Sequence, residues 1–149
     1  MLLLGGENME TVKIYLSGSM AGVSWEEQSK WRQRVIDAIN YQYEHEKKAI
    51  FFNPVNFYNF KEKQYKSEKE VMEFDLYNLR NSDIVIVNFN NIWSIGTAME
   101  LMLAKEMHIP VIGWNSSGEN LHPWLAECTT RLCDDIRETV EHVVNFYLN

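Results

Sequence analysis

Two periods of hydrophobic and polar residues alternate along this chain, and their order predicts its elements. TVKIYLS (Thr11–Ser17) reads as a first strand, followed by a Gly/Ser loop, SGSMAGVS. Ser24 with Glu27 three residues on forms a capping box. The helix behind it carries Trp31, Val35, Ile39 and Tyr43 along one stripe. KAIFFNP gives a second strand ended by Pro54, and NFYNFKEKQYK (Asn56–Lys66) is aromatic and charged without a period, hence a loop. Ser67 and Glu70 open a helix that runs to about Asn81. DIVIVNF (Asp83–Phe89) is an unbroken β-branched run, as expected of a strand covered on both faces. A third helix is expected over Thr97–Met107 and a fourth strand over IPVIGW. The rest reads as a loop, NSSGENLHP, a short helix at PWLAE, a strand at TRLC, and a helix capped by Asp134 or Asp135 and ending near Phe146.

Strands alternating with helices predict an α/β fold: a single-domain, doubly wound parallel sheet of about five strands, flavodoxin- or Rossmann-like, with helices on both faces. The expected strand order is 2-1-3-4-5. Residues 1–10 are read as an N-terminal tail, with Met9 as an alternative start, and 11–149 as the domain. Ligands of such sheets bind at the carboxyl ends of the strands. The loops at 17–22, 88–96 and 115–122 are expected to converge there.

Composition narrows the functional classes. The chain has 149 residues, 46% of them hydrophobic, enough for one domain with a real core. Fourteen basic against 21 acidic residues give a formal net charge of −7. No Lys/Arg stripe is present, which argues against a nucleic acid duplex as partner. MLLLGG is too short for a signal peptide or a membrane span, so no membrane partner is expected. Cys128 and Cys133 are too few for a disulfide framework and lack zinc-ligand partners, so a reduced cytoplasmic setting is expected.

Two carboxylates stand out. Glu100 lies within SIGTAMELMLA, among apolar neighbours. It reads either as the last residue of a capping box, Thr97-Ala-Met-Glu100, or as an ionised nucleophile held at the ligand-binding edge. Asp75 interrupts the stripe Val71, Phe74, Asp75, Asn78, Leu79. It is either a satisfied buried Asp, on a helix that can also be rotated to bury Met72, Leu76 and Leu79, or a group facing a cavity. Two carboxylates at one pocket suit cleavage of a glycosidic bond. The first loop, GSMAG, is neither a dinucleotide fingerprint nor a P-loop, and reads as a tight turn or as an anion cradle using Ser19 and nearby N–H groups.

The ordered set IYLSGS, FDLYNLRNSDIVIV, SIGTAMELMLA and IPVIGW resembles the nucleoside 2-deoxyribosyltransferase superfamily over most of Val12–Trp114. The resemblance implies that Glu100 is the nucleophile, that Asp75 serves the leaving base, and that Tyr15 orients the glutamate. Transferases of the family carry Asp six residues before the nucleophile, where Ser94 stands here. Serine at that place and Gly18-Ser19 in the first loop resemble the nucleoside 5′-monophosphate N-glycosidase branch. The resemblance thus implies a small-molecule nucleotide or nucleoside substrate, phosphate binding by Gly18, Ser19, Ser94 and Gly96, and no metal or organic cofactor. It also implies a homodimer or higher oligomer in which a neighbour's loop contributes, with Ser116, Ser117 and His122 as candidates. Ala21 departs from the branch, which often has arginine there. The base-pocket candidates are Trp25, Phe57, Tyr58 and Trp93, with Asn53, Asn88 and Asn90 as base readers or turn caps. A base-exchanging transferase is the nearest alternative function. A non-catalytic nucleotide-binding module is the other, since the first loop also resembles small phage-associated proteins of the superfamily.

Overall fold

The computed structural model describes residues 9–58 and 65–149. Five parallel strands make one sheet in the order β2-β1-β3-β4-β5. They are β1 (Thr11–Gly18), β2 (Lys48–Phe52), β3 (Ile84–Phe89), β4 (Val111–Asn115) and β5 (Arg131–Cys133). The helices between them are α1 (Trp25–Asp37), α2 (Glu68–Arg80), α3 (Ile95–Glu106), the one-turn-long α4 (Pro123–Glu127) and α5 (Ile136–Tyr147). The predicted fold class and strand order are both observed.

Strand periodicity explains the two cores. Every residue of β3 is buried, as its β-branched run requires. On β1, Ile14 and Leu16 point to one face, where they join Val35 and Ile39 from α1 and Val140, Val143 and Val144 from α5. Tyr15 points to the other, with Val85 and Val87 of β3, Leu79 of α2, and Leu101 and Ala104 of α3. Burying each such aliphatic side chain stabilises the fold by about 1.5–3 kcal/mol. The alternation also puts Ser17, two residues after Tyr15, on the same side as α3.

Several boundaries move, for local reasons. Thr97 is not the cap of α3: Ser94 is, its Oγ accepting the Thr97 N–H at 3.3 Å. Both Ser94 and Thr97 have the right chemistry, and the helix begins at the earlier one. The expected loop from Asn56 starts as a 3-10 turn, Pro54–Phe57, capped by the Asn53 side chain; residues 59–64 of it lie outside the described residues, as do residues 1–8 of the expected tail. Helix α1 continues as a π-helical turn over Ala38–Gln42. The last helix is capped by Asp135, whose side chain accepts the Glu138 N–H at 2.8 Å. Cys128 and Cys133 are free thiols. Among the described residues, no helix is long and apolar enough to cross a membrane.

Candidate active site

Strand β1 and helix α3 meet at Glu100. Glu100 is the sixth residue of α3, one turn past the orphan N–H groups, so the capping-box reading does not hold. It sits on the sheet-facing stripe with Thr97, Leu101 and Ala104, all buried. The Tyr15 hydroxyl donates a hydrogen bond to one carboxylate oxygen, Oε2. The Ser17 hydroxyl donates to the other, Oε1, at 3.1 Å. Two β1 hydroxyls therefore fix both oxygens of one half-buried carboxylate.

The tyrosine is itself held. Its ring is fully buried and stacks on Phe52 of β2, centroids 5.1 Å apart. Phe52 in turn stacks on Phe57 and meets Phe74 edge-on. That aromatic block leaves Tyr15 one orientation, with its hydroxyl towards α3.

Asp75 projects from α2 into the same cavity as Glu100, a half-open space of about 750 Å³. Its helix is oriented with Val71, Asp75, Leu76 and Asn78 half-buried and Leu79 buried, while Met72 stays exposed, so Asp75 faces the cavity. The Tyr58 hydroxyl donates to Asp75 Oδ1. Opposite, the β1–α1 loop and the start of α3 contribute Gly18, Ser19, Met20, Ser94, Gly96 and Thr97.

The electrostatics follow from burial. Burial pushes Glu100 up to about 7, opposed by the Tyr15 hydrogen bond and assisted by the charge of Asp75. Asp75 is pushed up to about 6 by burial, opposed by the Tyr58 hydrogen bond and by Arg32. Burial also raises Tyr15 and Tyr58, Tyr15 further through the charge of Glu100 and Tyr58 through its bond to Asp75. Both phenols thus remain donors at neutral pH. The two carboxylates behave as a coupled dyad that carries one proton between about pH 6 and 7.

The remaining expected residues divide. Gly18 needs to be glycine for packing: a Cβ there would come within 2.8 Å of the Trp31 ring and 3.2 Å of the Asn88 carbonyl oxygen. The Ser19 amide donates to Asn90 Oδ1 at 2.9 Å, so Ser19 offers a ligand its hydroxyl rather than its N–H. A Cβ on Gly96 would meet open space, and the missing side chain widens the cavity mouth. Trp93 and Tyr58 line the cavity; Trp25 and Phe57 do not. Asn53, Asn88 and Asn90 are engaged in bracing turns and loops. The loop at 115–122 stays outside the cavity. There Ser116 bonds to Asn88, Ser117 closes a turn on Asn115, and His122 caps α4 by accepting the Trp124 N–H.

Sequence reasoning passed over four residues. Ser17 looked like a strand end, yet it binds Glu100. Thr97 lines the cavity with its hydroxyl buried and without a partner among the described residues. Arg32 and Gln28, fully buried in α1, brace the first loop. The spacing of Gln28 and Arg32, one turn apart on the side of Trp31 and Val35, was the available signal.

Fold and site together define a class: a doubly wound domain with a hydroxyl-clamped carboxylate at the switch point of its sheet, facing a second carboxylate across a ligand-sized cavity. No protein-family model and no curated protein matches the chain. Solved structures do. A conserved protein from Enterococcus faecalis V583 superposes with a TM-score of 0.73 at 15% identity, over 89% of this chain and 97% of that one. A 2-deoxyribosyltransferase from Bacillus psychrosaccharolyticus gives 0.64 at 21% identity, over 85% and 88%. A CMP N-glycosidase from Clostridium botulinum gives 0.55 at 14% identity, over 90% and 99%. The fold is the one that these solved structures share.

Proposed function

We propose that this protein hydrolyses the N-glycosidic bond of a nucleoside 5′-monophosphate, ribo or deoxy. The observation that carries the reading is Glu100, clamped on both oxygens by Tyr15 and Ser17 in the cavity that Asp75 also faces. The names of two structural neighbours, a deoxyribosyltransferase and a CMP N-glycosidase, support it.

In the first step an oxygen of Glu100 bonds to C1′ as the C1′–N bond breaks, and its electron pair leaves with the base. Asp75 supplies the proton that the departing nitrogen takes up. In the second step water attacks C1′ and gives its proton to Asp75, while the Glu100–C1′ bond breaks. The products are free base and (deoxy)ribose 5-phosphate. The donors of Tyr15 and Ser17 hold the carboxylate in line, which lowers the entropy cost of attack. Ser19 and Ser94 bind the phosphate by their hydroxyls, Gly18 and Gly96 leave it room, and the N-terminus of α3 favours its charge. A panel of common nucleosides and 5′-monophosphates, followed by chromatography of released base, tests the reading; no release from any of them would end it.

A second reading has one observation in its favour. The described cavity wall carries Glu68, Asp75 and Glu100, with Arg32 as its one cation, and position 21 is alanine. A neutral nucleoside suits that wall, and base exchange between deoxynucleosides would follow. Supplying a deoxynucleoside with a second free base separates the two: a new nucleoside marks transfer.

Ser94→Asp discriminates further. Aspartate caps helices as well as serine does, so the fold is kept. The added charge is expected to weaken 5′-monophosphate binding by about tenfold or more, a Coulomb effect of about 1.4 kcal/mol, and to spare nucleosides. Calorimetry with both ligands measures it, and equal loss for both removes Ser94 from the phosphate site.

The dyad also sets a pH optimum. Glu100 must be ionised to attack and Asp75 protonated to donate, so the reactive form is the singly protonated dyad with its proton on Asp75, the less populated of its two arrangements because Glu100 holds a proton more tightly. The rate is expected to fall below about pH 6 and above about pH 7, roughly tenfold per pH unit on each side. The profile of kcat/KM is compared with that of product binding, because a phosphate monoester itself titrates near pH 6. A flat profile from pH 5 to 8 would contradict it.

A further inference from the structure

The geometry points to Arg32 as a positioning residue: a buried guanidinium that holds the first loop by its carbonyls and keeps a fixed positive charge beneath both carboxylates. The inference rests on the proposed reaction only for its kinetic consequence; the electrostatic part stands without it.

Arg32 is fully buried, and lines the cavity floor. Its Nη1 donates to the Gln28 carbonyl at 3.0 Å, its Nη2 to the Gly18 carbonyl at 3.2 Å, and its Nε approaches the Leu16 carbonyl at 3.4 Å. The guanidinium also lies 4.4 Å from the centre of the Trp31 ring. Among the described residues it makes no ion pair within 4.0 Å. An isolated buried cation is costly, and three neutral carbonyls do not neutralise it. The negative charge that compensates it is that of Glu100 on α3 and Asp75 on α2, both of which feel it through space.

One turn earlier, Gln28 extends the device. Its side-chain amide donates to the Met20 and Val23 carbonyls at 2.7 and 2.6 Å. Carbonyls at Leu16, Gly18, Met20 and Val23 are thus held from α1. That fixes the path of the loop on which Gly18, Ser19 and Met20 meet the cavity. A lysine would keep the charge but lose the fork that reaches Leu16 and Gly18 together.

Among the described residues, the groups facing the dyad are Tyr15 and Ser17 of β1, Tyr58 after the 3-10 turn, Glu100 of α3, Asp75 of α2 and Arg32 of α1, with Tyr65 and Glu68 also on the cavity wall. Of these Arg32 alone is positive. Removing its charge therefore raises the pH at which Glu100 ionises, and Arg32→Lys restores it.

The test reads the carboxylates directly, by NMR titration of carbon-13-labelled glutamate in the folded protein, with Glu100→Gln used to assign the signal. Arg32→Gln, which keeps donors for the loop, is expected to move the Glu100 midpoint up by about half a pH unit, less than a contact ion pair would give. Arg32→Lys is expected to leave it within a few tenths. Citrulline in place of Arg32, isosteric and neutral, gives the same readout should Arg32→Gln not fold. An unmoved midpoint in the neutral variants overturns the proposal, whatever the substrate. If base release is established, the acid limb of its pH profile should move by the same amount. A shifted midpoint with no base release from any substrate would leave Arg32's role intact and reject the glycosidase reading.

Discussion

Glu100→Gln is expected to abolish base release, by at least about a thousandfold, while making the protein more stable above pH 7. The loss follows from the proposed role. Glutamine cannot form the bond to C1′, and a transition-state contribution of about 4 kcal/mol is already a factor of a thousand. The gain follows from burial. Glu100 ionises near 7 in the folded protein and near 4.5 in the unfolded chain. The folded state thus holds its proton more tightly. Below pH 4.5 the side chain is neutral in both states and costs nothing by ionisation. Between 4.5 and 7 the unfolded chain gives up the proton first, and stability falls as pH rises. Above 7 the whole penalty is present, on the order of 3 kcal/mol. The neutral amide removes it and can still accept from Tyr15 or donate to Ser17. Thermal denaturation at pH 8 should show a Tm about 5 °C or more above that of the parent, and little difference at pH 4.5. Retained turnover would remove the nucleophile assignment, and a lower Tm at both pH values would show that the charge is not strained in the fold.

The same residues show how much the sequence alone could reveal. The layers were legible because they rest on local rules: the β-branched run of β3, the serine caps of α1 and α2, and the 2-1-3-4-5 order that parallel crossovers favour. Glu100 and Asp75 were visible because each puts a carboxylate into an apolar stripe. What they touch was not. Ser17 and Glu100 are 83 residues apart, and Tyr58 and Asp75 are 17 apart on different elements, so those hydrogen bonds exist only once the sheet has brought the elements together. Arg32 was hidden for another reason. An arginine in an amphipathic helix ordinarily marks the wet face, and only carbonyls arriving from β1, together with the carboxylates of α2 and α3, allow this one inside. The start of α3 failed on a local ambiguity, since Ser94 and Thr97 both fit a cap and only the observed backbone chooses. That choice matters chemically, because it takes Glu100 away from the helix end and gives it to the β1 hydroxyls.

Asp75→Asn separates the proposed acid from a merely structural carboxylate. Asparagine keeps an oxygen for the Tyr58 hydroxyl, so the local hydrogen bond survives. It has no proton to give at neutral pH. Base release is expected to fall by about 10²–10⁴-fold, the range for a positioned general acid. The fall should depend on the leaving group. Bases that depart as weakly basic anions need little protonation and should lose least, and ordinary purine or pyrimidine bases most. The pH profile should change shape as well. Its alkaline limb belongs to loss of the dyad's acid proton and should vanish. Its one remaining limb should report the ionisation of Glu100 alone, free of the Asp75 charge that otherwise raises it. A bell-shaped profile becomes one that rises and then stays level. Uniform loss across leaving groups, with the bell intact, would mean that Asp75 supports the cavity wall and that the proton comes from elsewhere.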